Sequence, residues 1–92
     1  MIVSFRHKGL KLFYEAGDMR GIQAKHAAKL QDILDALDGA TCADDMRLPG
    51  FKLHLLNPHS ARVFSVWVSG NWRVTFRLTD RGAEIVDYLD YH

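Results

Sequence analysis

The chain ends on three side chains that exchange protons or hydrogen bonds, Asp90, Tyr91 and His92. Histidine is well suited to proton transfer, because its unperturbed pKa of about 6.5 lies near physiological pH. Such a cluster indicates an active site, whereas the last residues of an ordinary domain are frayed and carry no function. The elements that hold the cluster decide between these two interpretations.

A β-hairpin centred on Gly70 and Asn71 is the strongest local signal. Glycine supplies the positive φ that the first position of a primed two-residue turn requires. The turn predicts four cross-strand pairs: Ser69–Trp72, Val68–Arg73, Val66–Thr75 and Phe64–Arg77. Side chains alternate along a strand, so one face is predicted to pack under helices. Its members are Val63, Trp67, Trp72, Val74, Phe76 and Leu78.

The opposite face of the hairpin carries Arg73, Thr75 and Arg77, beside Phe64, Val66 and Val68. Arginines on a central strand are rarely buried unpaired. This arginine face therefore predicts either a groove open to an anion or a fully solvated surface. The two tryptophans of the hairpin resemble nucleic-acid stacking residues, but their parity with the apolar positions favours core packing.

The register of the last strand stays open at this point. A four-residue loop over residues 79–82 places alternate side chains on the arginine face: Glu84, Val86, Tyr88, Asp90 and His92. A three-residue loop reverses the strand and presents Tyr91 instead, because a shift of one residue exchanges the two faces.

The first half of the chain predicts two helices. Residues Lys8 to Ala16 have apolar positions at helical spacing, and Ile22 to Asp38 carries a clear stripe at i, i+3, i+4 and i+7. Residues 2–5 predict a short edge strand and residues 51–56 a further strand. Together with the hairpin they predict an α+β fold.

The composition predicts one domain spanning residues 1–92, since 92 residues with 48% hydrophobic content can form a single core. The single cysteine, Cys42, excludes an intramolecular disulfide. The N-terminal stretch lacks the apolar run of a signal peptide, and no segment approaches the roughly 18 apolar residues of a membrane span. We therefore expect a cytoplasmic protein that does not associate with membranes.

Charge is unevenly distributed, although the net charge is only +1. Five aspartates and no Lys or Arg lie in residues 30–45, whereas six basic residues and one aspartate lie in residues 46–82. Separate basic and acidic faces allow a polyanion to bind on one side and another partner on the other. An ordinary solvated surface explains the pattern equally well.

Four segments in this order resemble the HigB branch of the RelE superfamily of toxins: IVSFRHKGLKLFYEAG, KLHLLNP, SGNWRVTF and VDYLDYH. The resemblance covers essentially the full length. It implies the RelE-like microbial ribonuclease fold, with two N-terminal helices packed on one face of a small, mainly antiparallel sheet. It also implies a toxin that cuts messenger RNA in the ribosomal A site without a metal or other cofactor. A helix-turn-helix antitoxin of the HigA type neutralises such toxins, and DNA is contacted only through that antitoxin.

The resemblance assigns the proton-transfer roles to His54 and His92, without deciding which is base and which is acid. From its chemistry, Arg73 is expected to bind the scissile phosphate, because the guanidinium fork matches two phosphate oxygens. Asp90 is expected to orient or charge-stabilise an imidazole, and Tyr91 to stack on a base or to hydrogen-bond near the 2′-hydroxyl. The remaining candidates are expected to bind RNA: Lys52, Asn57, Arg62 and Arg77.

One position departs from the family pattern. Asn57 stands where family members commonly carry a lysine, and an amide donates a hydrogen bond to phosphate without neutralising it. Either Arg62, Arg73 or His59 compensates for the missing charge, or the toxin is weaker. This leaves a second interpretation, a binding module that docks on its antitoxin or on RNA with little catalysis. A zinc site is disfavoured, since His54, His59, His92 and Asp90 lack compact ligand spacing.

Overall fold

The two helices lie where the sequence places an apolar stripe. The structure, a computed structural model, describes residues 1–56 and 62–91. Helix α1 spans Lys8–Ala16, as predicted; His7 Nδ1 accepts the backbone N–H of Leu10 at 2.9 Å, and Gly17 ends the helix at φ 69°. The second helix begins later than predicted, because a 3₁₀ turn over Ala24–His26 precedes α2 at Ala27–Gly39. The predicted stripe of α2 is buried: Leu30, Ile33, Leu34 and Leu37.

A four-stranded antiparallel sheet follows in the order β1-β2-β3-β4. Its strands are β1 (His54–Leu55), β2 (Phe64–Ser69), β3 (Trp72–Thr79) and β4 (Gly82–Asp90). A 3₁₀ turn over Ala43–Met46 lies between α2 and β1. The arrangement confirms the predicted α+β class. The strand predicted over residues 51–56 is reduced to β1, and that predicted over residues 2–5 to isolated parallel bridges from Ile2 and Phe5 to β4.

The turn of the hairpin is confirmed, but its register beyond the turn is wrong by one residue. Ser69 pairs with Trp72 and Gly70 has φ 55°, whereas an irregularity between Trp67 and Ser69 places Trp67 opposite Arg73. A β-bulge inserts one unpaired residue and exchanges the faces of the strand that follows. The remaining observed pairs are Val66–Val74, Ser65–Thr75 and Phe64–Phe76.

Three apolar side chains of β2 therefore lie in the core, and not on the arginine face as predicted: Phe64, Val66 and Val68. Trp67 was predicted on the core face, but it lies on the arginine face, opposite Arg73. Trp72 stays on the helix side, half-buried against the core, as predicted.

The last strand follows neither predicted loop length. Thr79 pairs with Gly82, so the loop has two residues, and a second irregularity follows at Ile85, whose φ is 48°. The first part of β4 places Glu84 opposite Arg77 on the arginine face. Beyond the irregularity Val86 and Tyr88 are buried in the core. The first part of β4 thus keeps the register that the four-residue loop predicts, with Leu78 opposite Ala83, and the irregularity at Ile85 exchanges the faces of the rest of the strand.

Gly9 and Gly21 pack backbone against backbone where α1 meets the segment before α2. A Cβ on Gly9 would lie 2.7 Å from the Cα of Gly21, and a Cβ on Gly21 would lie 2.5 Å from the Cα of Gly9. Both distances are far inside van der Waals contact, so the two segments approach this closely only because neither residue has a side chain.

We expect Gly9→Ala to destabilise the protein by about 1–3 kcal/mol through this overlap, although alanine favours a helix by itself. Gly39→Ala is the matched control, since Gly39 is also helical and nothing lies within 4 Å of its would-be Cβ. Urea unfolding measures both variants. Equal stability of the Gly9 and Gly39 variants would contradict the close packing.

Candidate active site

A cavity of about 270 Å³ opens on the arginine face of the sheet. Its lining combines two cations, an imidazole and a phenol with a hydroxyl and an apolar side chain: Lys52, His54, Leu56, Ser65, Arg73 and Tyr91. Four of these were candidates from sequence, namely Lys52, His54, Arg73 and Tyr91. Groups for proton transfer and for phosphate binding thus share one concave surface.

The strand ladder brings His54 and Arg73 to the same face. His54 on β1 pairs with Ser65 on β2, and Ser65 pairs with Thr75 on β3. Arg73 lies two residues before Thr75, and alternation gives both the same orientation. Ser65 is buried at 2% exposure, whereas His54 is exposed. The imidazole is therefore accessible from the groove.

Arg73 is held by the hairpin turn. Its Nη1 donates to the carbonyl oxygens of Gly70 at 3.1 Å and of Trp72 at 3.2 Å. Within residues 1–56 and 62–91 no carboxylate forms an ion pair with this guanidinium. Arg73 thus combines a fixed position with a charge that no described acid neutralises, which suits the binding of an anion.

Arg77 differs from Arg73 in this respect. Its Nη1 lies 3.6 Å from Glu84 Oε1, its partner across the ladder. An anion at Arg77 would have to compete with that carboxylate. Arg77 is also outside the lining of the cavity.

The end of β4 presents Tyr91 to the cavity. Leu89 pairs with Arg73, and Tyr91 follows two residues later on the same face. The backbone N–H of Tyr91 donates to the carbonyl of Asn71 at 2.8 Å, which fixes the chain end against the hairpin turn. Asp90 pairs with Trp72 and is not among the lining residues. The open register is thus decided in favour of Tyr91.

Lys52 lies at the rim in a conformation that favours glycine. Its φ is 50°, and such a conformation costs a non-glycine residue about 1–2 kcal/mol. The ammonium group lies 4.1 Å from the centre of the Trp67 ring. Ser65 and Trp67 were not among the sequence candidates, because only the bulge in β2 reveals that they lie on the arginine face.

Arg62 lines a second, larger cavity of about 530 Å³. This cavity lies between the C-terminal end of α2 and the β3–β4 turn, beside Cys42, Leu78 and Arg81. The guanidinium carbon of Arg62 lies 5.7 Å from the centre of the Phe64 ring. The larger cavity has no histidine in its described lining, so the smaller one is the candidate active site.

Three residues that the sequence singles out lie outside the described residues: Asn57, His59 and His92. Among residues 1–56 and 62–91, no group of three or more His, Cys, Asp or Glu is placed to hold a metal ion. That same part of the chain contains no helix long and apolar enough to cross a membrane.

A buried histidine supports β4 from behind the site. His26 is 3% exposed, and its Nδ1 lies 2.6 Å from the hydroxyl of Tyr88, which is also 3% exposed. Trp72 packs against Tyr88 with ring centres 4.7 Å apart, and His7 packs against it at 5.2 Å. This aromatic cluster lies under the part of β4 that carries Leu89 and Tyr91 to the opposite face.

Burial shifts the pKa values of His26 and Tyr88 so that each neutral form is favoured. It lowers the pKa of His26, to which the nearby charge of Lys25 also contributes, and it raises the pKa of Tyr88. The buried Nε2 of His26 has no hydrogen-bond partner among the described residues. A proton added to this ring would bring a charge into the core without a compensating acceptor.

Comparison with known proteins places the chain among toxins. The family model described as RelE-like toxin of type II toxin-antitoxin system HigB matches residues 3–92. The endoribonuclease HigB of Proteus vulgaris is 40% identical over 92 residues, which cover 100% of both chains.

We expect the stability of the protein to fall as the pH is lowered from 7.5 to 5.5. His26 has a lowered pKa in the fold, whereas in the unfolded chain it takes up a proton near pH 6.5. The neutral form of His26 therefore contributes stability above that pH. Below it, protonation of the unfolded chain lowers the free energy of unfolding by up to about 1.4 kcal/mol per pH unit. Urea midpoints across this range measure the slope.

The slope should be smaller in His26→Phe than in the wild type, since phenylalanine does not titrate. His54→Ala serves as the control, because it removes an exposed histidine and leaves the buried His26 in place. An undiminished slope in His26→Phe would assign the pH dependence to other groups.

Proposed function

The chain belongs to the HigB-like branch of the RelE-like toxins of type II toxin–antitoxin systems and is an endoribonuclease toxin, and we propose that it cleaves messenger RNA in the ribosomal A site without a metal. The observation that carries this proposal is the meeting of Lys52, His54, Arg73 and Tyr91 in one cavity. Proton transfer and charge neutralisation at phosphorus are then available from side chains alone.

The proposed reaction is an attack of the RNA on itself. The 2′-hydroxyl oxygen bonds to the adjacent phosphorus and loses its proton to a general base, while the bond from phosphorus to the 5′-oxygen breaks. A general acid delivers a proton to that leaving oxygen. The products are a 2′,3′-cyclic phosphate and a 5′-hydroxyl. Negative charge grows on the non-bridging oxygens in between, where a guanidinium is most useful.

Arg73 is proposed to bind the scissile phosphate. Its anchoring at the Gly70 carbonyl and the absence of an acidic partner among the described residues support this role. His54 is proposed as one proton-transfer group, since it opens on the same cavity. His92 is proposed as the other, with Asp90 orienting an imidazole. Each contribution is of the order of 10²–10³ in rate, by analogy with measured acid–base and dipole effects.

Tyr91 is proposed to hydrogen-bond near the reacting 2′-hydroxyl or to stack on a base, because its phenol ring faces the cavity. Lys52 is proposed to hold a flanking phosphate, and Asn57 is proposed as a neutral hydrogen-bond donor to phosphate. Arg62 and Arg77 are proposed to contribute weaker RNA contacts, since one lines the other cavity and the other is paired with Glu84. These contacts should weaken as salt rises.

The proposed partners follow from the family. An antitoxin of a type II system neutralises this toxin, and we propose that it is of the HigA helix-turn-helix type. The ribosome and its messenger RNA are the proposed target, and the cytoplasm is the proposed location because that target is there. A binding module with little catalysis is the competing function, which Asn57 in place of a lysine favours.

Induction of the toxin without its antitoxin should arrest growth, and Arg73→Ala should relieve the arrest. Cleavage of messenger RNA on programmed ribosomes should fall by about 10²–10³ in this variant, because the transition-state charge loses its main partner. Arg77→Ala is the matched control, because it removes the same charge from the same face of β3, four residues further along the strand. We expect a loss below about 10-fold there, as for a peripheral phosphate contact.

His54→Ala and His92→Ala should each reduce cleavage strongly, and EDTA should leave the wild-type rate unchanged. Normal growth with abundant wild-type protein would instead favour the binding module. Loss of cleavage on adding EDTA, restored by a divalent ion, would replace the proposed mechanism by a metal-dependent one.

A further inference from the structure

Trp67 lies beside the candidate active site and is not packed into the core. The β2–β3 ladder places it opposite Arg73, and it is half-buried. Trp72, by contrast, belongs to the half-buried side chains that pack against the core cluster. Trp67 is not one of those side chains. A large aromatic ring at the edge of a groove can stack on a planar group of another molecule.

One carbonyl oxygen fixes Trp67 relative to Arg73. The indole Nε1 of Trp67 donates to the oxygen of Gly70 at 2.9 Å, and Nη1 of Arg73 donates to the same oxygen at 3.1 Å. The ring and the guanidinium are therefore held at a set spacing by the turn of the hairpin. A strand whose phosphate lies on Arg73 passes within reach of the ring.

The ring of Trp67 is covered by the side chain of Lys52, which can rotate away into solvent. The ammonium group of Lys52 lies 4.1 Å from the ring centre, and the Lys52 side chain is exposed. Lys29 also approaches the ring, at 5.8 Å, but its ammonium group donates to the Gly50 carbonyl at 3.1 Å and is held there. No hydrogen bond holds the Lys52 ammonium to any other described residue.

We propose that Trp67 and Lys52 form a stacking platform for a nucleobase next to the phosphate on Arg73. The base takes the place of the ammonium group over the ring, and Lys52 turns to a phosphate of the same strand. This inference rests on the proposed function and names a residue that sets the position of the RNA. The substrate class is single-stranded RNA, read at this point by stacking.

The chemistry of the surface fits RNA. Single-stranded nucleic acids are bound by aromatic rings that stack on bases, alternating with cations that hold phosphates. Trp67, Lys52 and Arg73 supply that combination within one face of the sheet. An acidic peptide would use the cations but would leave the half-buried ring of Trp67 without a matching planar group.

The alternative is a purely structural role, in which Trp67 only holds Lys52 in place by a cation–π contact. A structural role of that kind affects every RNA equally. A stacking role depends on the presence of one particular base, and this difference determines the experiment.

The test is a double-mutant cycle between protein and RNA, measured as cleavage on programmed ribosomes under single-turnover conditions. Wild type, Trp67→Leu and Trp67→Phe are each given messenger RNA that is intact or abasic at one of the two nucleotides flanking the cut. We expect Trp67→Leu to slow cleavage of intact RNA on the order of 10-fold, as for loss of one base–aromatic stack. At one of the two flanking positions, removal of the base should slow the wild type about as much as Trp67→Leu slows cleavage of intact RNA. The same abasic RNA should not slow Trp67→Leu any further.

Trp67→Phe should retain most of the rate, because it keeps an aromatic face. Thermal unfolding of the three proteins identifies any loss of fold, and Trp67→Gln, which also removes the aromatic face, carries the comparison if Trp67→Leu unfolds. Rate losses that multiply at both flanking positions would overturn the platform while leaving the endoribonuclease proposal intact. No cleavage of intact messenger RNA by the wild type would overturn the proposed function, and the platform with it.

Discussion

The bulge in the hairpin between β2 and β3 is the constraint on which the rest of the site depends. It shifts the ladder by one residue between Ser69 and Trp67. A shift of one exchanges the two faces of a strand, so it sends Phe64, Val66 and Val68 into the core and turns Trp67 outward. Without it, three apolar side chains would line the groove. The Gly70 carbonyl then anchors both Trp67 and Arg73 at the turn.

The last strand shows the same division between its two faces. Tyr88 lies in the core against His26, while Tyr91, three residues later, lines the cavity. The buried aromatic cluster around Tyr88 therefore supports the strand end from the side opposite to the chemistry. Because protein cores are close-packed, a change at Trp72 or His26 is expected to reach the groove through the position of that strand end.

Charge on the arginine face is graded along the strands. Arg77 is paired with Glu84, and Asp87, which is paired across the ladder with Thr75, lies 3.9 Å from Arg6. Glu84 lies toward the β3–β4 turn, and neither carboxylate is among the residues that line the cavity. Arg73 and Lys52 lie at the other end, where the described residues provide no ion pair to either. The positive potential is thus concentrated where phosphate is proposed to bind.

The sequence by itself determined the helices, the hairpin turn and the residue types available to the site. The apolar stripe of α2, the glycine turn at Gly70 and the residue types at His54 and Arg73 are local features, and the first two were found as expected. The motifs that resemble HigB toxins predicted the family, which the comparisons confirmed, and the α+β fold, which the structure confirmed. Local patterns suffice here because helix stripes and tight turns are set by residues close in sequence.

Only the tertiary structure decided which side chains face the groove. Bulges at Val68 and Ile85 leave no reliable trace in composition, yet each reverses the alternation on which a face assignment rests. Hence Trp67 was wrongly assigned to the core, and the choice between Asp90 and Tyr91 stayed open until the strands were paired. The ion pair of Arg77 and the position of Arg62 in the larger cavity could not be predicted either, because ion pairs and cavities join residues that are distant in sequence. Alternation is a local rule, but its phase is fixed by long-range pairing.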